Sequence, residues 1–176
     1  MEDMAVQGDK VEQFGIISHN QYDKVEDLYK FTCDMFGEPK RHMVEAAEIA
    51  LDKARQADEN QEDKLITLAI IAMAGYKLYT GLDANKIANL MTDTYKRKNA
   101  DYGNSFDESI DKFGIVAAMV RMSDKVNRLK SLVLRENKVE VKDESIADTW
   151  LDLANYSIMT ILYGKFSDFR TPNARK

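Results

Sequence analysis

Cysteine is nearly absent from this chain: Cys33 stands alone, so no internal disulfide can form, and a reducing compartment suits it. Histidine is almost as scarce, with only His19 and His42. These residues assemble no zinc-ligand spacing, and two histidines far from every candidate nucleophile exclude a Ser-His-Asp or Cys-His site. With two prolines and eight glycines in 176 residues, and many Ala, Leu, Met, Lys and Glu, the composition favours helix over sheet. No apolar run reaches the length of a membrane span, and Met1-Glu2-Asp3-Met4 lacks the basic-then-apolar layout of a signal peptide. A cytoplasmic protein without membrane contact is therefore expected. A Walker-type glycine-lysine phosphate loop is also missing. Basic residues are outnumbered, and the net charge of −5 argues against adhesion to a nucleic-acid backbone.

What is present is a soluble, core-forming composition: 44% hydrophobic and 31% charged, enough for one domain with at most an added subdomain. Residues 1–20 show no sustained period and read as a loose arm. From Tyr22, apolar residues at helical spacing run to Phe36, where Gly37 and Pro39 end the helix. A second helix is predicted over Lys40–Gln56. It carries Glu45-Ala46-Ala47-Glu48, a two-carboxylate spacing read here as a solvated helix face. The third, Lys64–Tyr79, is apolar nearly all round and should be central. Asp83 is a good N-cap for a fourth, which ends in Tyr95-Lys96-Arg97-Lys98 and leads into an Asp101–Phe106 loop. A long helix follows, from Phe106 or Ser109 to Arg135, with Gly114 a candidate break near its start. Glu136-Asn137-Lys138 is turn chemistry, Asp143 a cap, and a last helix reaches Tyr163. The fold class predicted is all-α, a bundle of about five or six helices.

Two charged stripes carry the chemical reading. At about 100° per residue, Glu144, Asp148, Asp152 and Asn155 share one arc of the last helix, and Arg121, Asp124, Lys125 and Arg128 share one face of the long helix. Aspartate is a poor helix former, and its recurrence past the first turn is the local conflict expected at a functional site. If the two stripes face each other, they suit a metal-bound phosphate. Mg²⁺, or Mn²⁺ in its place, takes oxygen ligands from one or two carboxylates plus substrate phosphates. Glu144 and Asp148 can share one ion, with Asp124 or Asp152 completing its shell. Arg121, Lys125 and Arg128 would neutralise phosphate oxygens, Lys98 would reach in from the loop, and Tyr102, Phe106 or Tyr156 would stack on a base. Hydrolysis at such a site needs a metal-activated water attacking a phosphoryl group in line, with Asp124, Glu144 and Asp148 as the catalytic candidates.

Three separated motifs then occur in order: Lys98-x-x-Asp101-Tyr102-Gly103, Arg121-x-x-Asp124-Lys125-x-x-Arg128-Leu129, and Asp143-Glu144-Ser145-Ile146-x-Asp148-Thr149-x-x-Asp152-Leu153-Ala154-Asn155-Tyr156. Together they resemble the nucleotide modification-associated domain family, type 1, found largely in bacteriophages and prophages, over roughly residues 94–163. The resemblance implies a nucleotide-handling role in a host cytoplasm. Its motifs add Asp101, Gly103 and Asn155 to the substrate-binding candidates, beside Tyr102, Tyr156 and the neighbouring Ser105. It divides the chain into an arm (1–20), an N-terminal helical region (21–85), the family domain (86–165) and a polar tail (166–176).

A looser similarity is to the MazG and dimeric dUTPase type of all-α pyrophosphohydrolases, which hold Mg²⁺ on helix-borne acidic motifs and cleave a nucleotide to monophosphate and pyrophosphate. This implies a dimer or tetramer. The chain departs from that pattern, with Arg121-x-x-Asp124 and Asp152-x-x-Asn155 where the acidic pairs are expected. Three readings follow: a Mg²⁺-dependent nucleotide hydrolase, a binding protein that sequesters a nucleotide such as a host defence signal, and an accessory subunit of a modification complex.

Overall fold

The computed structural model describes residues 4–56, 58–135 and 145–167. Among these there is no strand. Eight α-helices and one π-helical segment follow one another: α1 (Met4–His19), α2 (Tyr22–Met35), α3 (Pro39–Ala54), α4 (Gln61–Thr80), α5 (Ala84–Tyr102), α6 (Ser105–Phe113), α7 (Val116–Leu129), the π segment Lys130–Leu134, and α8 (Ile146–Phe166). The all-α class is as the composition predicts, and the helices outnumber the five or six expected, for two local reasons.

The first is the N-terminus. Residues 4–19 form a packed helix where the sequence reads as a loose arm, and α1 lies along α5. Its buried residues are Lys10, Phe14 and Ser18, at i, i+4 and i+8. Only one of those three is apolar, so hydrophobic periodicity cannot reveal the stripe. The second is the expected long helix, which is broken at Gly114. The backbone there adopts φ +76°, a conformation that suits glycine, and the break separates α6 from α7.

The centre of the molecule is the pair α4–α8, with α3 and α2 packed on α4 and α7 packed on α8. Helix α4 buries residues on nearly every side, from Leu65 to Tyr76, as its uniformly apolar sequence requires. Gly75 lies against the Trp150 indole: a Cβ at 75 would stand 2.5 Å from Trp150 Cδ2. The glycine lets a fully buried tryptophan press flat onto the neighbouring backbone. Helix starts follow their caps. Asp83 accepts from the Lys86 amide at 3.0 Å, while Ser145 and Asp148 form a reciprocal capping box. Ser145, not Asp143, is the N-cap of α8; Asp143, together with the Glu136–Lys138 turn, lies outside the described residues. Among the described residues no single helix is long and apolar enough to cross a membrane.

Candidate functional site

Where α5, α6, α7 and α8 converge, the surface opens into a cavity of about 380 Å³. Helix α5 runs through to Tyr102, four residues past the expected Lys98, so the loop predicted over Asp101–Phe106 shrinks to Gly103 and Asn104. Gly103 sits at φ +60° and turns the chain sharply enough for α6 to fold back over the cavity. Tyr95, Lys98, Asn99 and Tyr102 line it from α5. Ser105, Phe106 and Ser109 line it from α6, Ala117 and Arg121 from α7, and Asp152, Asn155, Tyr156 and Met159 from α8.

The charged stripes of α7 and α8 do meet, and they meet at Asp152. Its Oδ1 lies 3.2 Å from Lys98 Nζ and its Oδ2 3.0 Å from Lys125 Nζ, so each carboxylate oxygen faces a separate ammonium group. Arg121 reaches the same cavity and has no ion-pair partner among the described residues. Among the described residues, two ammonium groups and a guanidinium thus stand around one carboxylate. That surplus of positive charge, in a protein of net charge −5, favours an anion locally.

The lining also carries aromatic rings. Phe106 and Tyr156 stack with ring centroids 5.8 Å apart and an interplanar angle of 22°. Tyr95 is stacked from behind by Phe14, at 4.5 Å and 8°. Tyr102 stands at the rim with 72% of its surface exposed. Asn155 is buried in this lining, and its Oδ1 has no hydrogen-bond partner among the described residues. A buried, unsatisfied carbonyl oxygen costs stability until a donor reaches it, so the orphan acceptor points to a ligand or an ordered water.

Of the predicted site residues, Lys98, Tyr102, Gly103, Ser105, Arg121, Asp152, Asn155 and Tyr156 line the cavity. Lys125 joins it through Asp152. Arg128 turns to the base of α8, where its Nε donates to Thr149 Oγ1 at 3.1 Å. Asp101 and Asp124 are exposed and are not among the cavity-lining residues. Asp148 serves as the N3 residue of the capping box, accepting from the Ser145 amide at 3.0 Å and the Ser145 hydroxyl at 2.8 Å. Its charge is felt by Tyr76, whose phenol is pushed up first by burial and then by Asp148, so this carboxylate stands by α4. Glu144 lies outside the described residues. Among the described residues no three His, Cys, Asp or Glu side chains gather as a metal cage. The Glu45-x-x-Glu48 pair is structural, with Glu45 beside Arg41 at 3.8 Å and Glu48 bonded to Lys130 of the π segment.

Tyr95, Asn99, Ser109, Ala117 and Met159 were not foreseen. Their signal is periodicity: Tyr95, Asn99 and Tyr102 recur at i, i+4 and i+7, and Asp152, Asn155 and Met159 at i, i+3 and i+7. These wall residues are small, neutral or aromatic, and only the charged members of each stripe stand out in a sequence.

Fold and site together define an all-α bundle with an aromatic-walled, cation-lined cavity at the junction of its last four helices. Residues 98–163 match the family described as nucleotide modification associated domain 1. The match begins at the cavity lysine of α5 and runs through α6 and α7 into the last turns of α8. No curated protein and no solved structure matches the chain.

Proposed function

We propose that the protein binds a nucleoside phosphate in this cavity, with the phosphates on Lys98, Lys125 and Arg121 and the base against the Phe106–Tyr156 stack. The observation that carries this reading is the make-up of the cavity. Its lining combines guanidinium and ammonium donors suited to phosphate oxygens with flat π-faces that stack on any base. Asn155 lines the same cavity, its acceptor available to a sugar hydroxyl or a base N–H. The family description supports nucleotide handling in general.

Mg²⁺ belongs to the same proposal in a limited form. Of the four carboxylates the sequence offers, Asp152 alone of those described lines the cavity. An ion held there would draw most of its shell from the ligand's phosphate oxygens and water, as Mg²⁺ commonly does. Pyrophosphohydrolysis of the MazG type would need further carboxylates, and no hydrolytic step is derived from those described. Binding without turnover is favoured as the second reading by one feature: both oxygens of Asp152 are taken by lysines.

Self-association completes the proposal. Val116 and Val120 stand one turn apart on α7, exposed at 63% and 51%, with Phe113 beside them in sequence at 66%, an apolar surface suited to a second copy in a dimer or tetramer. The reading places the protein in the cytoplasm, that of a host if a phage encodes it. The deciding experiment is calorimetric titration of nucleoside mono-, di- and triphosphates with Mg²⁺ and with chelator, the products then separated by chromatography. Binding with intact ligand recovered supports sequestration, and released pyrophosphate supports the hydrolase. Absence of binding by every nucleotide would overturn the proposal.

A further inference from the structure

Helix α6 supplies Ser105, Phe106 and Ser109 to the cavity, yet little in its own nine residues holds it in place. A helix so short is marginal by itself and takes its position from tertiary contacts. A glycine with positive φ stands just outside each end, Gly103 at +60° before the Asn104 cap and Gly114 at +76°, where the chain turns out of line with α5 and α7. Ile110 is buried beneath it, and at its far end Tyr163 Oη donates to Asp111 Oδ1 at 2.7 Å, an exposed bond.

The deep tether is at the near end. Lys10 of α1 is 1% exposed, and its Nζ lies 2.9 Å from Asp107 Oδ2, with Asn104 Oδ1 at 3.4 Å. Burying a lysine this deeply is costly unless its charge is paired, so losing one member of the pair weakens the hold on the other. Asp107 follows Phe106 directly, and Asn104 sits between Gly103 and Ser105, so the pair grips the chain where it enters the cavity wall. One turn along α1, Phe14 backs Tyr95 of the same cavity. Helix α1 thus braces two walls, although it lies outside the family-matched segment.

We propose that Lys10 is a positioning residue of the binding cavity: its buried ion pair with Asp107 latches α6 between its two flanking glycines and so sets Phe106 and Ser105 against the bound base. The proposal rests on the reading of the cavity as a nucleoside-phosphate site. It separates two parts of that site, because the phosphate cations stand on α5 and α7 while the latched wall is α6.

The test uses Lys10→Met in the full-length protein, with ATP and inorganic pyrophosphate as probes and amide hydrogen exchange as a ligand-free readout. Exchange in residues 103–109 is expected to quicken by about tenfold or more while amides of α4 and α8 keep their protection. ATP affinity should fall by about tenfold, and pyrophosphate affinity should stay within about twofold. Asp107→Asn, which keeps the shape and removes the charge, should reproduce the pattern and serves if Lys10→Met does not fold. Unchanged exchange at 103–109, protection lost evenly along the chain, or equal losses of both ligands would overturn the latch. If the wild-type protein binds neither probe, the reading of the cavity fails, and the exchange data still decide whether Lys10 holds α6.

Discussion

Asp152→Asn is the most informative substitution, because two accounts of this residue predict opposite signs. In the structure Asp152 has Lys98 on one oxygen and Lys125 on the other, the two lysines that the proposed phosphate would use. A phosphate that enters must compete with it. The two bonds are not equal: Lys98 is 56% exposed, while Lys125 and Asp152 are 20% and 22% exposed. An exposed pair contributes about 0.2–1 kcal/mol, and a hydrogen bond to a more sheltered charge about 1.5–3. Asparagine keeps one acceptor for the lysines, so only part of this is released, about 1–2 kcal/mol. At about 1.4 kcal/mol per tenfold, the variant should bind ATP or pyrophosphate about 5- to 30-fold more tightly in chelator. The salt dependence should steepen as well, since one more cation becomes available to the ligand. Titration calorimetry at two salt concentrations measures both effects. If Asp152 acts chiefly as a carboxylate for Mg²⁺, affinity in chelator stays flat and affinity with Mg²⁺ falls. That outcome would refute the competition argument.

Arg121→Ala removes a cavity guanidinium that has no ion pair among the described residues, so it should weaken triphosphate binding by about 1–2 kcal/mol with little change in melting temperature. Gly75→Ala forces a methyl group to within 2.5 Å of the Trp150 ring. Overpacking there should cost about 3 kcal/mol and lower the melting temperature by about 6–12 °C, read by calorimetry. At the α3–α4 connection, the Lys64 bond, followed by the Asn60 amide, holds the Asp58 carboxyl below the usual carboxylate range. Its folded value is depressed, so the stabilisation is present above the unfolded value and is lost as pH falls through the folded one. Protection factors of the amides in residues 58–64, taken relative to intrinsic exchange at each pH, should therefore fall on acidification below about pH 4, and Asp58→Asn should remove that dependence.

The fold was legible where one physical signal acted alone. Helix α4 is apolar on every side, and the centre of a bundle is the place where such a helix is stable. Asp83 announces a helix start by its own chemistry, and Gly81, at φ +69°, an end. Legibility failed at α1 because its inward face uses Lys10 and Ser18 in the places of apolar residues. A lysine can be buried only with its counter-charge, and that charge, Asp107, lies 97 residues away. No local window contains both halves of the pair, so helical periodicity sees a polar residue and reads a loose arm.

The same logic separates the stripes from the site. Spacing correctly places Arg121 and Lys125 on one helix and Asp152 and Asn155 on another, and the packing of α7 on α8 brings the two rows together. Spacing alone does not say which carboxylate stands opposite which cation. Asp148 sits one turn nearer the helix start, where the unpaired amides of the first turn compete for it, and it satisfies them as half of a capping box. Asp152, beyond their reach, is left to the lysines. The end of a helix thus divides two aspartates four residues apart between the helix cap and the cavity lysines, and the division follows from where Ser145 begins α8. Moving that start is therefore a sharper probe of the acidic stripe than neutralising its members one by one. Replacing Ser145 by alanine should cost about 1 kcal/mol of stability and free Asp148, while the bonds of Asp152 to Lys98 and Lys125 remain.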